Sequence, residues 1–412
     1  MSKKNFWVGL LTGVMISAFI GCGIICINIF TLRSGAPLTI ASQAGQTASD
    51  NGIDSVLEDP NVAAKIGVLE GMIDLYYIDS VSKNDIENGI YSGIMDSLND
   101  PYACYYTPGE WIAMQNSTQG IYYGIGAYLM KSETLLYPQV TGIIRDTPAE
   151  ESDLMVDDYI YMVDGVDVYD MDLSAVVAMI KGEQGTTVHL TIVRQSTGEQ
   201  LEMDIERRKV ETPTVELKMM ENNIAYISIS EFDGVTVDQF ADALATAKGS
   251  GMEGLILDLR GNPGGSLTAV VDIARMILPE GRIVYTEDKY GQQEEYSCDG
   301  TKCLDVPMVV LVNGGSASAS EILAGAIKDY GIGTLLGTTT YGKGIVQRII
   351  TLQDGSAVKL TVSHYYTPLG NDIHKVGIIP DIEVEFDAEA YQLDQTDNQL
   401  DEAVNVITEM MQ

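Results

Sequence analysis

Histidine is scarce in this chain, with three residues among 412. A metal site built from several imidazoles is therefore not expected, and proton transfer falls to other side chains. Five cysteines are too few for a disulfide-dense scaffold. Basic residues number 24 against 59 acidic ones. That deficit excludes nucleic acid as a partner, because phosphate binding needs a clustered basic surface. The net charge of −35 does not mark a disordered tail, since charged residues make up only 20% and apolar ones 45%. A chain of this length suits two or three domains at ~150 residues each.

One stretch lacks charge altogether. Phe6 to Phe30 spans 25 residues, enough to cross a hydrocarbon core that needs ~20 residues of helix. Lys3 and Lys4 precede it, so the short N-terminus is expected in the cytoplasm and everything after Arg33 outside. Residues 1–33 hold three basic and no acidic side chains, which leaves −38 on the remainder. Two alternatives are a cleaved signal peptide, for which the apolar run is long, and lipidation at Cys22, where Phe19 and Ile20 make a poor signal. The reading is an uncleaved anchor on the cell membrane.

Residues 34–52 are rich in Ser, Gly, Ala and Thr without periodicity and read as a stalk. Residues 53–117 form an N-terminal helical region, with apolar residues at helical spacing up to the stop at Asn99-Asp100-Pro101. Residues 118–208 change to short alternating runs, and 209–385 to strand–helix alternation, an α/β pattern. A last amphipathic helix is expected within a C-terminal region, 386–412.

In the second of these segments Gly124-Ile125-Gly126 can expose successive backbone N–H groups that cradle a carboxylate without basic side chains. Taken alone it is equally a tight turn. With Thr147-Pro148-Ala149, Asp158-Tyr159-Ile160 and Val163-Asp164-Gly165, residues 118–208 resemble a PDZ domain. That resemblance implies a peptide C-terminus added as a strand beside 124–129. PDZ domains of this kind usually carry glycine where this chain has Ser152 and Asp157.

Residues 307–330 place Ser318 between an apolar β run and an amphipathic helix. Ser318 and Glu321 alone read as a helix-capping box. A serine at a helix N-terminus is also placed where N–H groups favour developing negative charge. No histidine has a recognisable acid partner pattern, so a Ser-His-Asp triad is not expected. Lys343, between Gly342 and Gly344, serves as a base only if burial depresses its pKa from ~10.4.

Together, SASASEI at 316–322 and YGKGIVQ at 341–347 resemble the carboxy-terminal processing proteases, the S41 family of tail-specific Ser/Lys serine peptidases. Asp258-Leu259-Arg260-Gly261-Asn262-Pro263-Gly264-Gly265, Tyr365-Tyr366-Thr367-Pro368 and Asp100-Pro101-Tyr102 extend the match over residues ~55–410. The resemblance implies a crotonase-like protease core, α/β in class, with an inserted PDZ domain. It implies Ser318 as nucleophile, Lys343 as general base and Gln347 orienting the lysine. The amides of Gly264 and Ala319 would form the oxyanion hole, with Gly265 as fallback, and no cofactor or metal is required. Lys181 sits where relatives often carry a gating arginine, and relatives dimerise through their terminal helices. A PDZ scaffold without catalysis is the rival reading, opposed by Ser318, Lys343 and Gln347 occurring together. Outside the cell, Cys298 and Cys303 are expected to close a small disulfide loop.

Overall fold

The computed structural model describes residues 59–132 and 135–412. The anchor, the stalk and Cys22 lie outside the described residues. Among the described residues no helix is long and apolar enough to cross a membrane.

Two helices open the described chain, α1 (Pro60–Tyr76) and α2 (Lys83–Asp96), each started by an acidic or hydroxyl cap, Asp59 and Ser82. Neither buries a residue completely; Leu75, Tyr76 and Ile78 of the first helix and its exit are 70–93% exposed. After them come β1 (Cys104–Tyr106), α3 (Pro108–Thr118) and β2 (Ile121–Gly124).

The segment expected to be PDZ-like folds as a sheet in the order β3-β4-β5-β7-β8. Its strands are β3 (Ala127–Lys131), β4 (Pro138–Ile143), β5 (Tyr159–Val163), β7 (Thr187–Val193) and β8 (Gln200–Glu206), with the short β6 (Val166–Asp167) on β5. The helices α4 (Pro148–Glu151) and α5 (Leu173–Ile180) complete it. Alternate strand residues Val188, Leu190 and Ile205 are fully or almost fully buried with Val176 of α5 in a core of their own. Asp157, where a glycine is usual, adopts φ +73°, so the left-handed turn is kept at the expense of a strained aspartate. Strand β9 (Arg208–Glu211) returns antiparallel to β2 and closes the insertion.

The α/β expectation holds for the remainder. The second six-stranded sheet runs β10 (Val215–Met219), β11 (Ile224–Ile229), β12 (Gly254–Asp258), β15 (Met308–Val312), β16 (Thr334–Gly337) and β19 (Ile382–Glu383). Only β10 is antiparallel. Both faces are covered, which is why β12 and β15 read as unbroken apolar runs. On one side lie α6 (Thr236–Gly249), α7 (Leu267–Ala274) and α8 (Ala319–Tyr330), through Phe240, Val270, Ile273 and Leu323. On the other lies α10 (Asn398–Met410), whose Ala403 and Ile407 are fully buried against Ile256 and Leu311; the short α9 (Ala388–Asp394) precedes it. The C-terminal helix is therefore committed within the chain. Burial of one side chain of isoleucine size stabilises by roughly 1.5–3 kcal/mol.

A third sheet of β13 (Gly281–Asp288), β14 (Gln293–Cys298), β17 (Ile345–Thr351) and β18 (Ala357–Tyr366) has β1 on its edge. It includes a β13–β14 hairpin that the α/β pattern did not suggest. Cys298 is buried with Sγ 3.4 Å from the Leu278 carbonyl, and Cys303 is exposed; both are free thiols, so the expected disulfide loop is not formed. His374 lies in a turn after β18.

Candidate active site

Three loops leave the carboxyl ends of adjacent parallel strands, the place where open α/β sheets build their sites. Residues 259–266 follow β12, 313–318 follow β15 and 338–344 follow β16. They are laced together by hydrogen bonds. Gly261 N–H donates to Asn313 Oδ1 at 2.9 Å, Ala317 N–H to the Asn262 carbonyl at 3.0 Å, and Tyr341 N–H to the Ser316 carbonyl at 3.0 Å.

The loop from β15 makes Ser318 unlike its neighbours. Ser316 Oγ donates to the Leu259 carbonyl and Ser320 Oγ to the Asn262 carbonyl, so both competing hydroxyls hold structure. Ser318 sits just before α8 at φ +54°, ψ −113°, a left-sided backbone conformation that costs a residue with a Cβ about 1–3 kcal/mol. It is 3% exposed. The capping reading holds in part: Glu321 accepts the Ser318 N–H at 2.9 Å, while the Glu321 N–H goes to the Ser318 carbonyl at 2.9 Å. That carbonyl also accepts the Tyr365 hydroxyl at 3.0 Å.

Glu321 does far more than cap. Oε1 accepts from Thr340 Oγ1 (2.6 Å) and Gly342 N–H (2.7 Å), and Oε2 from Lys343 N–H (2.9 Å) as well as Ser318. One fully buried carboxylate thus fixes the backbones of Ser318 and Lys343 together. Burial raises its pKa, and its hydrogen bonds from Thr340, Lys343, Gly342 and Ser318 oppose the rise. Sequence reasoning assigned it only the cap, because its other three partners lie 19 to 22 residues away.

Lys343 is 5% exposed, and its Nζ lies 4.3 Å from the centre of the Tyr102 ring. Gln347, on β17, is 4% exposed and donates from Nε2 to Thr361 Oγ1 at 3.3 Å. Of the expected oxyanion donors, Ala319 opens α8, whose first N–H groups have no partner within the helix. Gly264 packs on Ser318 so closely that a Cβ there would lie 2.7 Å from Ser318 Cβ and 2.9 Å from the Ala319 nitrogen. Its N–H, however, donates to Asn262 Oδ1 at 2.8 Å. The hole expected from Gly264 and Ala319 is therefore only half available in this conformation. The fallback residue, Gly265, lies in an isolated bridge to Phe232 whose hydrogen bonds are carried by the Gly264 carbonyl and the Ser266 N–H.

Phe232 connects this loop to the PDZ-like insertion. Its N–H donates to the Gly264 carbonyl (2.8 Å) and its carbonyl accepts from Ser266 (2.6 Å); the next residues, Gly234 and Val235, donate to Thr118 and Gln119 at the insertion's entrance. Two acids flank Phe232. Burial and the neighbouring Asp233 charge push Glu231 up to about 8, and burial pushes Asp233 up to about 7. Both folded values lie above the unfolded range near 4, so their contribution is complete in acid and is lost as pH rises through about 7 to 8. Denaturant unfolding of the wild type is expected to show stability falling from about pH 4 to about pH 8 and levelling off above it. In the double variant Glu231→Gln/Asp233→Asn that decline flattens. An unchanged slope would refute the assignment.

In the insertion, β3 is an edge strand facing α5 across an apolar groove of about 220 Å³. Gly124, Ile125, Gly126, Leu129, Val177 and Ile180 line it. Gly126 at φ +89° admits no Cβ, which would meet Thr147 at 2.4 Å. Gly124 ends β2 opposite Arg208, so of the three expected cradle residues only Ile125 and Gly126 lie free of the strands. Lys181, directly after α5, lines the same groove with Nζ 4.6 Å from the Tyr122 ring centre, and desolvation lowers its pKa. Arg207 fixes that helix end by donating to the Met179 and Ile180 carbonyls.

His189 does have an acid partner, Asp204 at 2.8 Å, but on the exposed β7–β8 ladder of the insertion. His364 and His374 stack edge to face on each other, 5.3 Å between ring centres. Arg260, which sequence reasoning left without a role, grips Asp258 and Asp397 and so ties α10 to the end of β12.

Residues 223–384 match peptidase family S41 and residues 139–194 match a PDZ domain. The chain is 37% identical to a carboxyl-terminal-processing protease of Synechocystis sp., over 71% of this chain and 69% of that one. It is 32% identical to the carboxy-terminal processing protease CtpA of Bacillus subtilis, over 93% and 77%. Among solved structures, a photosystem II D1 C-terminal processing protease aligns with 30% identity over 77% of this chain and 86% of that one, TM-score 0.46. With relatives at this identity spanning both the protease segment and the PDZ domain, the chain belongs to peptidase family S41, as a serine-type carboxyl-terminal processing peptidase.

Proposed function

We propose that this chain is a membrane-anchored endopeptidase that captures protein C-termini in the PDZ groove and cleaves near them with a Ser318/Lys343 dyad. The observation that carries the reading is the shared Glu321 carboxylate, which holds the Ser318 and Lys343 backbones in one buried site. Neutral Lys343 takes the Ser318 proton as Oγ attacks the peptide carbonyl, and it then protonates the leaving amine; water hydrolyses the acyl-enzyme. Gln347 orients the lysine. The oxyanion is held by Ala319 N–H and, after its bond to Asn262 is released, Gly264 N–H.

The tail adds a strand to the β3 edge, its carboxylate at Ile125 and Gly126 and its last side chain in the apolar groove. Lys181 at the groove's end then passes tail occupancy to the active site, and the Phe232 backbone bonds offer a physical path to Gly264. The apolar residues 6–30 support a single-pass anchor with the protease outside the cytoplasm. The exposed apolar side chains of α1 suit pairing of two copies.

The full-length chain in detergent tests this on an unfolded protein with an apolar tail. Ser318→Ala and Lys343→Ala are expected to lose at least ~10³-fold in kcat/KM. Lys181→Ala is expected to keep cleavage of a tail-less substrate and slow that of the tailed one. Retained cleavage in either dyad variant would sink the mechanism.

A further inference from the structure

Tyr102 reaches the lysine from the N-terminal region, more than a hundred residues ahead of the segment 223–384 that carries Ser318 and Lys343. Its position is strongly determined. Asn99 turns the chain at φ +52°, Asp100 accepts the Tyr102 N–H on its carboxylate at 2.9 Å, and the Asp100 carbonyl accepts from Ala103 at 3.1 Å. Two residues later β1 docks on β18, pairing Cys104 with Lys359. The ring is thereby delivered to 4.3 Å from Nζ of a lysine that is 5% exposed.

An aromatic face attracts an ammonium and has far less attraction for a neutral amine. We propose that Tyr102 is a positioning residue for Lys343, whose ring face holds the side chain in place and stabilises its ammonium form, so that the N-terminal region sets the pH at which the base becomes available. The inference rests on Lys343 acting as the base. Other ionisable groups around the 340–345 segment include Tyr341 within it, Glu321 from α8, His364 and Tyr365 from β18, His374 and Lys375 from the following turn, and Asp100 beside Tyr102 itself. All of them stay in place when only the ring is changed. Undocking β1 from β18 would withdraw the ring, which makes the N-terminal region a control on the protease and not only a spacer.

The test is the pH dependence of kcat for the full-length enzyme on a tailed substrate. It uses wild type, Tyr102→Phe, Tyr102→Leu, and a variant with trifluorophenylalanine at 102, which keeps the ring's shape and weakens its face. Loss of the face lowers the lysine's pKa, so the neutral base survives to lower pH. The acid limb is expected to move down by about 0.5–1 pH unit for the Leu and fluorinated variants and to stay with the wild type for Phe. If Leu does not fold, the shape-conserving fluorinated variant alone decides. Superimposed limbs alongside an inactive Lys343→Ala would overturn the role of Tyr102. An active Lys343→Ala would instead overturn the base assignment, and this inference with it.

Discussion

Glu321→Gln is expected to retain about 1% or less of wild-type kcat/KM and to lose ~2–5 kcal/mol of unfolding free energy. The replacement is nearly isosteric, so the cause is the changed hydrogen-bonding pattern together with loss of the ionisable carboxyl, and not size. Four donors converge on the two carboxylate oxygens: Ser318 N–H and Lys343 N–H on one, Gly342 N–H and the Thr340 hydroxyl on the other. An amide group puts two donors where one oxygen accepted, so at least one pair becomes donor against donor. Each buried donor left unsatisfied costs ~1–3 kcal/mol. Relaxation must move either the Ser318 or the Lys343 backbone, and a displacement of ~1 Å at a reacting pair costs ~10²-fold. Steady-state kinetics and denaturant unfolding measure the two effects. Activity within threefold of wild type would show that the carboxylate is a cap and nothing more.

Gly264→Ala is expected to abolish activity to a similar depth with a smaller loss of stability. At φ +108° a Cβ would lie 2.7 Å from the Ala317 carbonyl oxygen and from Ser318 Cβ, and 2.9 Å from the Ala319 nitrogen. These are the atoms of the nucleophile turn and of one expected oxyanion donor, so relief of the clash must displace the reacting group. Loss of one oxyanion donor alone costs ~10²–10³ in kcat. The backbone strain adds roughly 1–3 kcal/mol. Gly261→Ala is the matched control in the same loop. It too has positive φ, +70°, but no atom lies within 4 Å of its Cβ, so it carries strain without collision. The prediction is that Gly261→Ala unfolds more easily yet keeps kcat, whereas Gly264→Ala loses kcat; equal kcat in both variants would remove Gly264 from the site.

The contrast between these glycines marks what local pattern can and cannot convey. Asp258 to Gly265 was recognisable as one motif, and the φ +108° of Gly264 and φ +70° of Gly261 both demand glycine. Which of them touches Ser318 depends on a loop that is 54 residues further along. Likewise the helices at 319–330 and 398–410 followed from apolar spacing, because those forces act within one or two turns. The β13–β14 hairpin and the short β1 did not, since strand pairing is chosen by partners distant in sequence.

By itself the sequence determined the chemistry on offer: a serine before a helix, a lysine between glycines, few histidines, and an insertion with a glycine cradle. Each of those depends on residue identity and short-range backbone preference. Only the tertiary structure decided that Ser316 and Ser320 are structural, that Glu321 joins Ser318 to Lys343, and that Tyr102 covers the lysine. The reason is physical. Parallel strands β12, β15 and β16 end side by side, so loops separated by dozens of residues meet in one buried site, and each polar group there takes its role from whichever partner the packing supplies.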